Sequence, residues 1–296
     1  MPEPSVSPIM PDKTRPILIV GLGLIGGSYA RALARRGYTV HAIDTRQEAI
    51  DYALREGFIA AGSTQPDPKL IGGAPLSIFA LYPHVFIEWI RQHQELFSPG
   101  TVITDVTGVK QAVVGPVQQL LRPDVEFIAA HPMAGREVYG VENSDDAIFR
   151  DANYIVVPTE KNTLRATMLC ESLGRELGFA HISRLTPQQH DTLIGFVSQL
   201  THVIAMALMT CSDNRHLVDY TGDSFRDLTR IARINDKMWS ELFLLDRDAL
   251  IEQIDIFTAE MHELRQIIAA RDTEALRAKM RLSSERRAWF DKKEDN

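Results

Sequence analysis

The chain has 296 residues, 45% of them hydrophobic and 24% charged, the balance of a globular protein with room for two domains. A formal net charge of -7 gives no broad cationic surface, which argues against holding nucleic acid or an anionic membrane; an anionic substrate needs a local cluster of arginines. Cys170 and Cys211 lie far apart and supply neither a disulfide framework nor a thiolate metal site, so no metal is expected and a reducing cytoplasm is.

In chain order, the first sixteen residues contain five prolines and lack the continuous apolar core of a secretory signal, so residues 1–15 are predicted to be a disordered tail. Short apolar runs at 17–20, 39–43, 76–81, 102–104 and 127–130 read as strands, alternating with helical stretches such as 25–36 and 47–56. That alternation predicts a parallel sheet covered on both faces. Residues 153–158 and 181–183 are expected to extend the sheet, flanking a helix near 164–177. At Thr186-Pro187-Gln188-Gln189 the character changes: a capping hydroxyl, a proline at the first helical position and a reciprocal glutamine announce a helix. Helices are predicted from there at about 187–211, 224–234, 238–270 and 273–290, with 291–296 frayed. The stretch 193–211 is about membrane length but carries Ser198, Gln199, Thr201 and His202 in its middle, which favours a buried helix over a span. The expected fold class is therefore α/β, with an N-terminal Rossmann-type dinucleotide-binding domain over 16–184 followed by an all-α domain over 185–296.

Gly21-Leu22-Gly23-Leu24-Ile25-Gly26 matches the dinucleotide fingerprint, whose glycines permit a tight turn and let backbone N–H groups approach a pyrophosphate at the start of a helix. Asp44 ends the second strand 18 residues after Gly26, placed to accept from a ribose 2′-hydroxyl and to repel a 2′-phosphate, so NAD is the expected cofactor. Arg46 just beyond has two readings, a phosphate partner or a solvated side chain of the next helix. His131-Pro132-Met133-Ala134-Gly135-Arg136-Glu137 closes the strand at 127–130, on the sheet edge where open α/β folds place ligands. A histidine there can accept a hydroxyl proton near neutral pH. Its bland reading is a histidine that fixes the loop.

HPMAGRE at 131–137 resembles a segment of the prephenate and arogenate dehydrogenase family, and DVTGVK at 105–110 resembles the strand-end motif before it. His190-Asp191 followed by Ser198-Gln199-Leu200-Thr201-His202 is similar to the family's HD…SHLPH helix. Phe225 to Ala232 (FRDLTRIA), then Met238-Trp239, is similar to its F-[KR]-D-[FL]-TRIA…MW segment. This ordered likeness runs from about 17 to 271. It implies NAD-dependent oxidative decarboxylation of prephenate to 4-hydroxyphenylpyruvate in tyrosine biosynthesis, with arogenate as the alternative small-molecule substrate and a homodimer joined through the helical domain.

The same resemblance implies that His131 engages the ring hydroxyl, that Arg230 binds a substrate carboxylate and that His202 lines the substrate pocket. A guanidinium offers the bidentate fork that a dianion can use. Arg230 could instead close an ion pair with Asp227 on its own helix. Arg226 shares its face and adds positive charge; Arg136 contributes to a second carboxylate or to a loop contact; Glu137 matches the family's acid. Asp105 is expected beside the cofactor. Gly108 stands where many members carry a serine that bonds the same hydroxyl, so that contact is absent or comes from Thr107. His190, twelve residues from His202 and a third of a turn off its face, is expected to serve the first turn of its helix, and Trp239 the core. The sequence stops without the regulatory domain of some relatives, so tyrosine feedback through such a domain is not expected. Two rivals remain. A β-hydroxyacid dehydrogenase would show a helical-domain lysine, which does not stand out between Thr186 and Asn235; a non-catalytic NAD-binding sensor would tolerate loss of His131 and Arg230 together.

Overall fold

The structure, a computed structural model, describes residues 9–291, so the expected tail up to residue 8 and the expected fraying of 292–296 lie outside the described residues. In chain order the first half runs β1 (Ile17–Val20), α1 (Leu24–Arg35), β2 (Val40–Ile43), α2 (Gln47–Arg55), β3 (Ala61–Ser63), α3 (Pro68–Gly73), β4 (Leu76–Phe79), α4 (Pro83–His93), β5 (Val102–Asp105), α5 (Gln111–Leu120), β6 (Glu126–Phe127), β7 (Ala129–Met133), β8 (Asn153–Val157), α6 (Leu164–Leu177) and β9 (His181–Arg184). Six parallel strands form one sheet in the order β3-β2-β1-β4-β5-β6. The order reverses between β1 and β4, which opens a crevice at their carboxyl ends. Along the central β1 every residue is buried. Ile17 and Ile19 enter the core under α1, α2 and α6, while Leu18 and Val20 enter the one under α4 and α5.

The sheet extension expected from 153–158 and 181–183 takes another form. Those strands make a separate three-stranded sheet, β7-β8-β9, with β7 antiparallel to β8 and β9 parallel to it. The single strand expected at 127–130 is split, because the chain leaves the first sheet after Phe127 and joins the second at Ala129. Pro132, which has no N–H to offer, sits in β7, an edge strand with a neighbour on one side only. Nor is the end of the expected tail loose: Ile9 N donates to Ser172 Oγ at 3.2 Å, Lys13 Nζ donates to Arg36 O at 2.6 Å, and Met10 packs on the core.

The second half is helical: α7 (Pro187–Ile194), a π-helical turn (Gly195–Leu200), α8 (Thr201–Thr210), α9 (Asp223–Thr229), α10 (Asp236–Leu245), α11 (Arg247–Ala269) and α12 (Thr273–Ala288). The capping box announced by the sequence opens α7, with Gln189 N donating to Thr186 Oγ1 at 3.2 Å and Thr186 N to Gln189 Oε1 at 2.9 Å. The long helix expected over 238–270 breaks at Asp246 into α10 and α11. By packing, the chain divides into two compact units, Met1–Arg247 and Asp248–Asn296. The first contains both sheets and α7 to α10. In the second, Lys279 on α12 reaches Glu260 and Glu263 on α11 at 2.6 and 2.9 Å.

The continuous helix from Pro187 to Thr210 is long and apolar enough to cross a membrane by length and composition. The expectation that it is buried holds for one side only. His190, Asp191, Ile194, Gln199 and Leu200 are buried, whereas Phe196 and Val197 remain 54% and 48% exposed.

Candidate active site

At the carboxyl end of β1 the fingerprint does its work through absent side chains. Gly21 has φ +97°, and a Cβ there would stand 2.4 Å from Ala80 O; a Cβ on Gly26 would stand 1.9 Å from Gly21 O. Only glycine fits either place. A Cβ on Gly23 would meet nothing within 4 Å, so the turn is open on that side for a phosphate group to approach the backbone. The first turn of α1, at Leu24, Ile25 and Gly26, has no side-chain cap and no acidic residue, which leaves its N–H groups and positive end available to an anion. Asp44 folds back over this turn: Oδ2 accepts from Leu22 N at 2.7 Å and Oδ1 from Arg46 N at 2.8 Å. Arg46 is exposed at the start of α2, as its solvated reading has it, and its guanidinium bonds Asp44 Oδ1 at 3.3 Å and Leu22 O at 2.9 Å. A groove of about 420 Å³ follows, lined by Arg46, Ala49, Tyr52, Arg55, Val141 and Glu142. The residues present fit a dinucleotide.

Asp105, expected beside the cofactor, is instead fully buried and ion-paired with Lys110, itself fully buried, at 2.7 Å. Its Oδ1 accepts from Ala130 N at 3.1 Å and its Oδ2 from Thr107 N at 3.0 Å. Lys110 Nζ also donates to Ala130 O at 2.6 Å. A side-chain ion pair therefore supplies the main-chain bonds that β7 lacks on the β5 side, and it fixes the strand that carries His131. Burial draws the Lys110 ammonium down from its usual value, against the pull of Asp105. Thr107 cannot replace the missing serine, because its hydroxyl is buried and donates to Asp105 while lying 3.0 Å from Val109 O and 3.2 Å from Lys110 Nζ. Gly108 keeps ordinary room: a Cβ there would lie 3.5 Å from Leu242 and 3.9 Å from His131 Cε1.

His131, third residue of β7, is half-buried. Its Nδ1 lies 2.9 Å from His190 Nε2, and His190 Nδ1 lies 2.7 Å from Asp191 Oδ1. Asp191 in turn accepts from the backbone N–H groups of Lys110 and Gln111, each at 2.8 Å, at the start of α5. Burial, then the neighbouring His190 and Lys110, hold His131 well below the ordinary histidine value, and burial also lowers His190 against the pull of Asp191. Both shifts favour the neutral imidazole. His190 is thus no first-turn residue serving its own helix. Counting it a third of a turn away from His202 assumed an unbroken α-helix; the π turn takes up about one residue, which returns the two to within roughly 20° in phase.

On the helical wall, His202 Nδ1 lies 2.9 Å from Ser198 O and its ring stacks on Trp239 at 3.6 Å between centroids. Trp239 is at the rim of the core rather than inside it. Because the Ser198 carbonyl can only accept, the Nδ1 of His202 carries the proton, and burial lowers that histidine as well. Arg230 forms no pair with Asp227; it bonds Glu137 in the loop that follows β7, and both are partly exposed. The other expected arginines are drawn off. Arg136 donates to Asn143 O at 3.0 Å, a loop contact, and Arg226 bonds Asp223 at 3.1 Å at the start of its own helix. Sequence reading also missed a buried pair behind His202: Gln199, which replaces the family's histidine, donates to Asp246 Oδ2 at 2.9 Å. Burial and Asp191 raise the Asp246 carboxyl to about 7. Glu241 fastens α10 to the start of α4, accepting from His84 N at 2.7 Å.

Residues 29–178 match the family model described as the nucleotide-binding domain of prephenate dehydrogenase, and residues 186–282 the one described as its dimerization domain. The chain is 30% identical over 271 residues to the prephenate dehydrogenase of Bacillus subtilis, covering 88% of this chain and 72% of that one. It is 31% identical to that of Lactococcus lactis, with 88% and 73% covered. Among solved structures, prephenate dehydrogenase from A. aeolicus in complex with hydroxyphenyl propionate and NAD+ matches at a TM-score of 0.86 and 28% identity, over 94% of this chain and 98% of that one. With the fingerprint, the histidine at the sheet edge and the helical wall in the same order on the same fold, the chain belongs to the prephenate dehydrogenase family.

Proposed function

We propose that this protein oxidises and decarboxylates prephenate to 4-hydroxyphenylpyruvate, with His131 as the base that takes the proton of the ring hydroxyl. The observation that carries this reading is the placement of His131: an imidazole at the ligand edge of the fold, its Nδ1 2.9 Å from His190 Nε2, in surroundings whose burial disfavours its charged form. NAD, bound along Gly21 to Gly26, supplies the hydride acceptor. Gly23 and the N–H groups of Leu24, Ile25 and Gly26 receive its pyrophosphate, and Asp44, steadied by Arg46, accepts from its ribose hydroxyls. Arg230 exchanges Glu137 for a substrate carboxylate, a swap of one charged partner for another that leaves no guanidinium unpaired. His202, backed by Trp239, offers Nε2 to the substrate. Loss of carbon dioxide then needs only a ring held against the cofactor, because aromatisation drives it.

The family's dimerization domain and the exposed apolar side of the helix at Leu193, Phe196, Val197, Met206 and Met209 support a homodimer through the helical region, working in the cytoplasm, with 184–185 as the border between nucleotide-binding and dimer-forming parts. The test is His131→Asn, assayed with prephenate and arogenate, each with NAD and NADP. Turnover with prephenate and NAD is expected to fall by about 10²–10⁴ while NAD binding is kept. Near-normal kcat with an unchanged acid limb would remove His131 from the role.

A further inference from the structure

The row His131–His190–Asp191 is deeper than a single base requires, and its hydrogen bonds have only one consistent direction. Asp191 already accepts from two backbone N–H groups, so both of its oxygens act as acceptors. His190 Nδ1, 2.7 Å from one of them, must carry a proton. In a neutral His190 the opposite nitrogen, Nε2, then has a lone pair. His131 Nδ1, 2.9 Å away, must be the donor, and the lone pair of His131 is on Nε2. The backbone of α5 thus sets a tautomer two side chains away.

We propose that His190 is a positioning residue that fixes His131 in its Nδ1–H form and shares its charge when Nε2 is protonated. This rests on the reading of His131 as the base. When the substrate hydroxyl ionises, its proton forms a bond to His131 Nε2 and the O–H electron pair stays on oxygen. The proton already on His131 Nδ1 is drawn toward His190 Nε2, and the Nδ1 proton of His190 stays against Asp191. The row gains that one proton and loses none, and the positive charge is spread over two rings facing a carboxylate. Around the pair stand Lys110 and Asp105 from the β5–α5 turn, which oppose each other at 2.7 Å, and Asp191 on α7, with Asp246 behind it. The Lys110 charge is matched by Asp105, leaving Asp191 to balance an imidazolium.

The experiment combines ring-nitrogen NMR of the NAD-bound enzyme, labelled with ¹⁵N-histidine, with pH profiles of His190→Phe and His190→Gln. The wild-type His131 signal is expected to be that of the Nδ1–H tautomer. His190→Phe, which leaves His131 Nδ1 without an acceptor, should lose about 10–100-fold in kcat, the scale on which supporting hydrogen-bond partners act, with little change in KM. Its acid limb should move to lower pH, since an imidazolium without that acceptor is harder to form. His190→Gln, whose side-chain oxygen can still accept from His131, should recover part of kcat and of the limb. A merely structural role would lower the melting temperature and leave the limb in place. The proposal is overturned by an Nε2–H tautomer at His131 in the wild type, which needs no variant to fold, or by a folded His190→Phe enzyme with normal kcat and limb. Near-normal turnover in His131→Asn would instead defeat the base assignment itself, a result readable whatever the tautomer.

Discussion

The cofactor edge and the substrate wall are built from different materials. Gly21, Gly23 and Gly26 act through backbone shape within six residues, and Asp44, at the end of the next strand, acts on backbone N–H groups, those of Leu22 in the fingerprint and of Arg46 two residues on. The opposite wall is assembled from side chains whose partners are far off along the chain: His131 with His190, Arg230 with Glu137, Lys110 with Ala130 O, Gln199 with Asp246. A backbone device is contained in a few letters and is therefore readable. A side-chain device exists only after folding, and its letters taken singly look like ordinary surface or core.

The sharpest way to break that contrast is at Gly26. Gly26→Ala would put a methyl 1.9 Å from Gly21 O, where no flexible atom can yield, so NAD binding should weaken at least about 100-fold by calorimetry, a loss of roughly 3 kcal/mol or more. An alanine variant that binds NAD normally would show that the turn is not set by sterics. Next in size is Arg230→Ala, for which the KM of prephenate should rise by roughly 2–4 kcal/mol in binding while NAD affinity stays. Because the partly exposed ion pair with Glu137 is worth little to the fold, melting should barely move; a large fall in melting temperature with normal KM would make Arg230 a structural residue.

The smallest expected effect belongs to Asp246. Its carboxyl is raised in the folded chain to about 7, above its value in the unfolded chain, so the folded state holds the proton more tightly. Stability contributed by that proton is complete at low pH and is lost as pH rises through about 7. Asp246→Asn, which cannot ionise, should therefore flatten the fall in unfolding free energy between pH 5 and pH 8.5 by about 1–3 kcal/mol in urea titrations. Equal pH dependence in the two proteins would mean that Asp246 is ionised without cost.

The sheet, the fingerprint and the capped start of α7 were legible because each repeats a local rule of period, turn or cap. The second sheet was not, since nothing local marks the step at Ile128 from one sheet to the other. Asp105 was misread for a similar cause. A carboxylate at a strand end resembles a ligand-facing group until Lys110, which reads as a surface lysine, is found fully buried beside it. His190 had a usable signal: the adjacent Asp191 in the family-like His-Asp pair, which makes an oriented imidazole more plausible than a lone one. What hid it was the assumption that residue number measures angle along a helix.

That assumption fails at the π turn over Gly195–Leu200, and its failure has an evolutionary side. Two chains that share every motif letter here differ in whether His190 and His202 look the same way if one has a residue fewer between them. The interval therefore matters as much as the amino acids at its ends. A single-codon deletion in this stretch would read as conservative in an alignment and would swing His202 by about 100°, more than a quarter of a revolution.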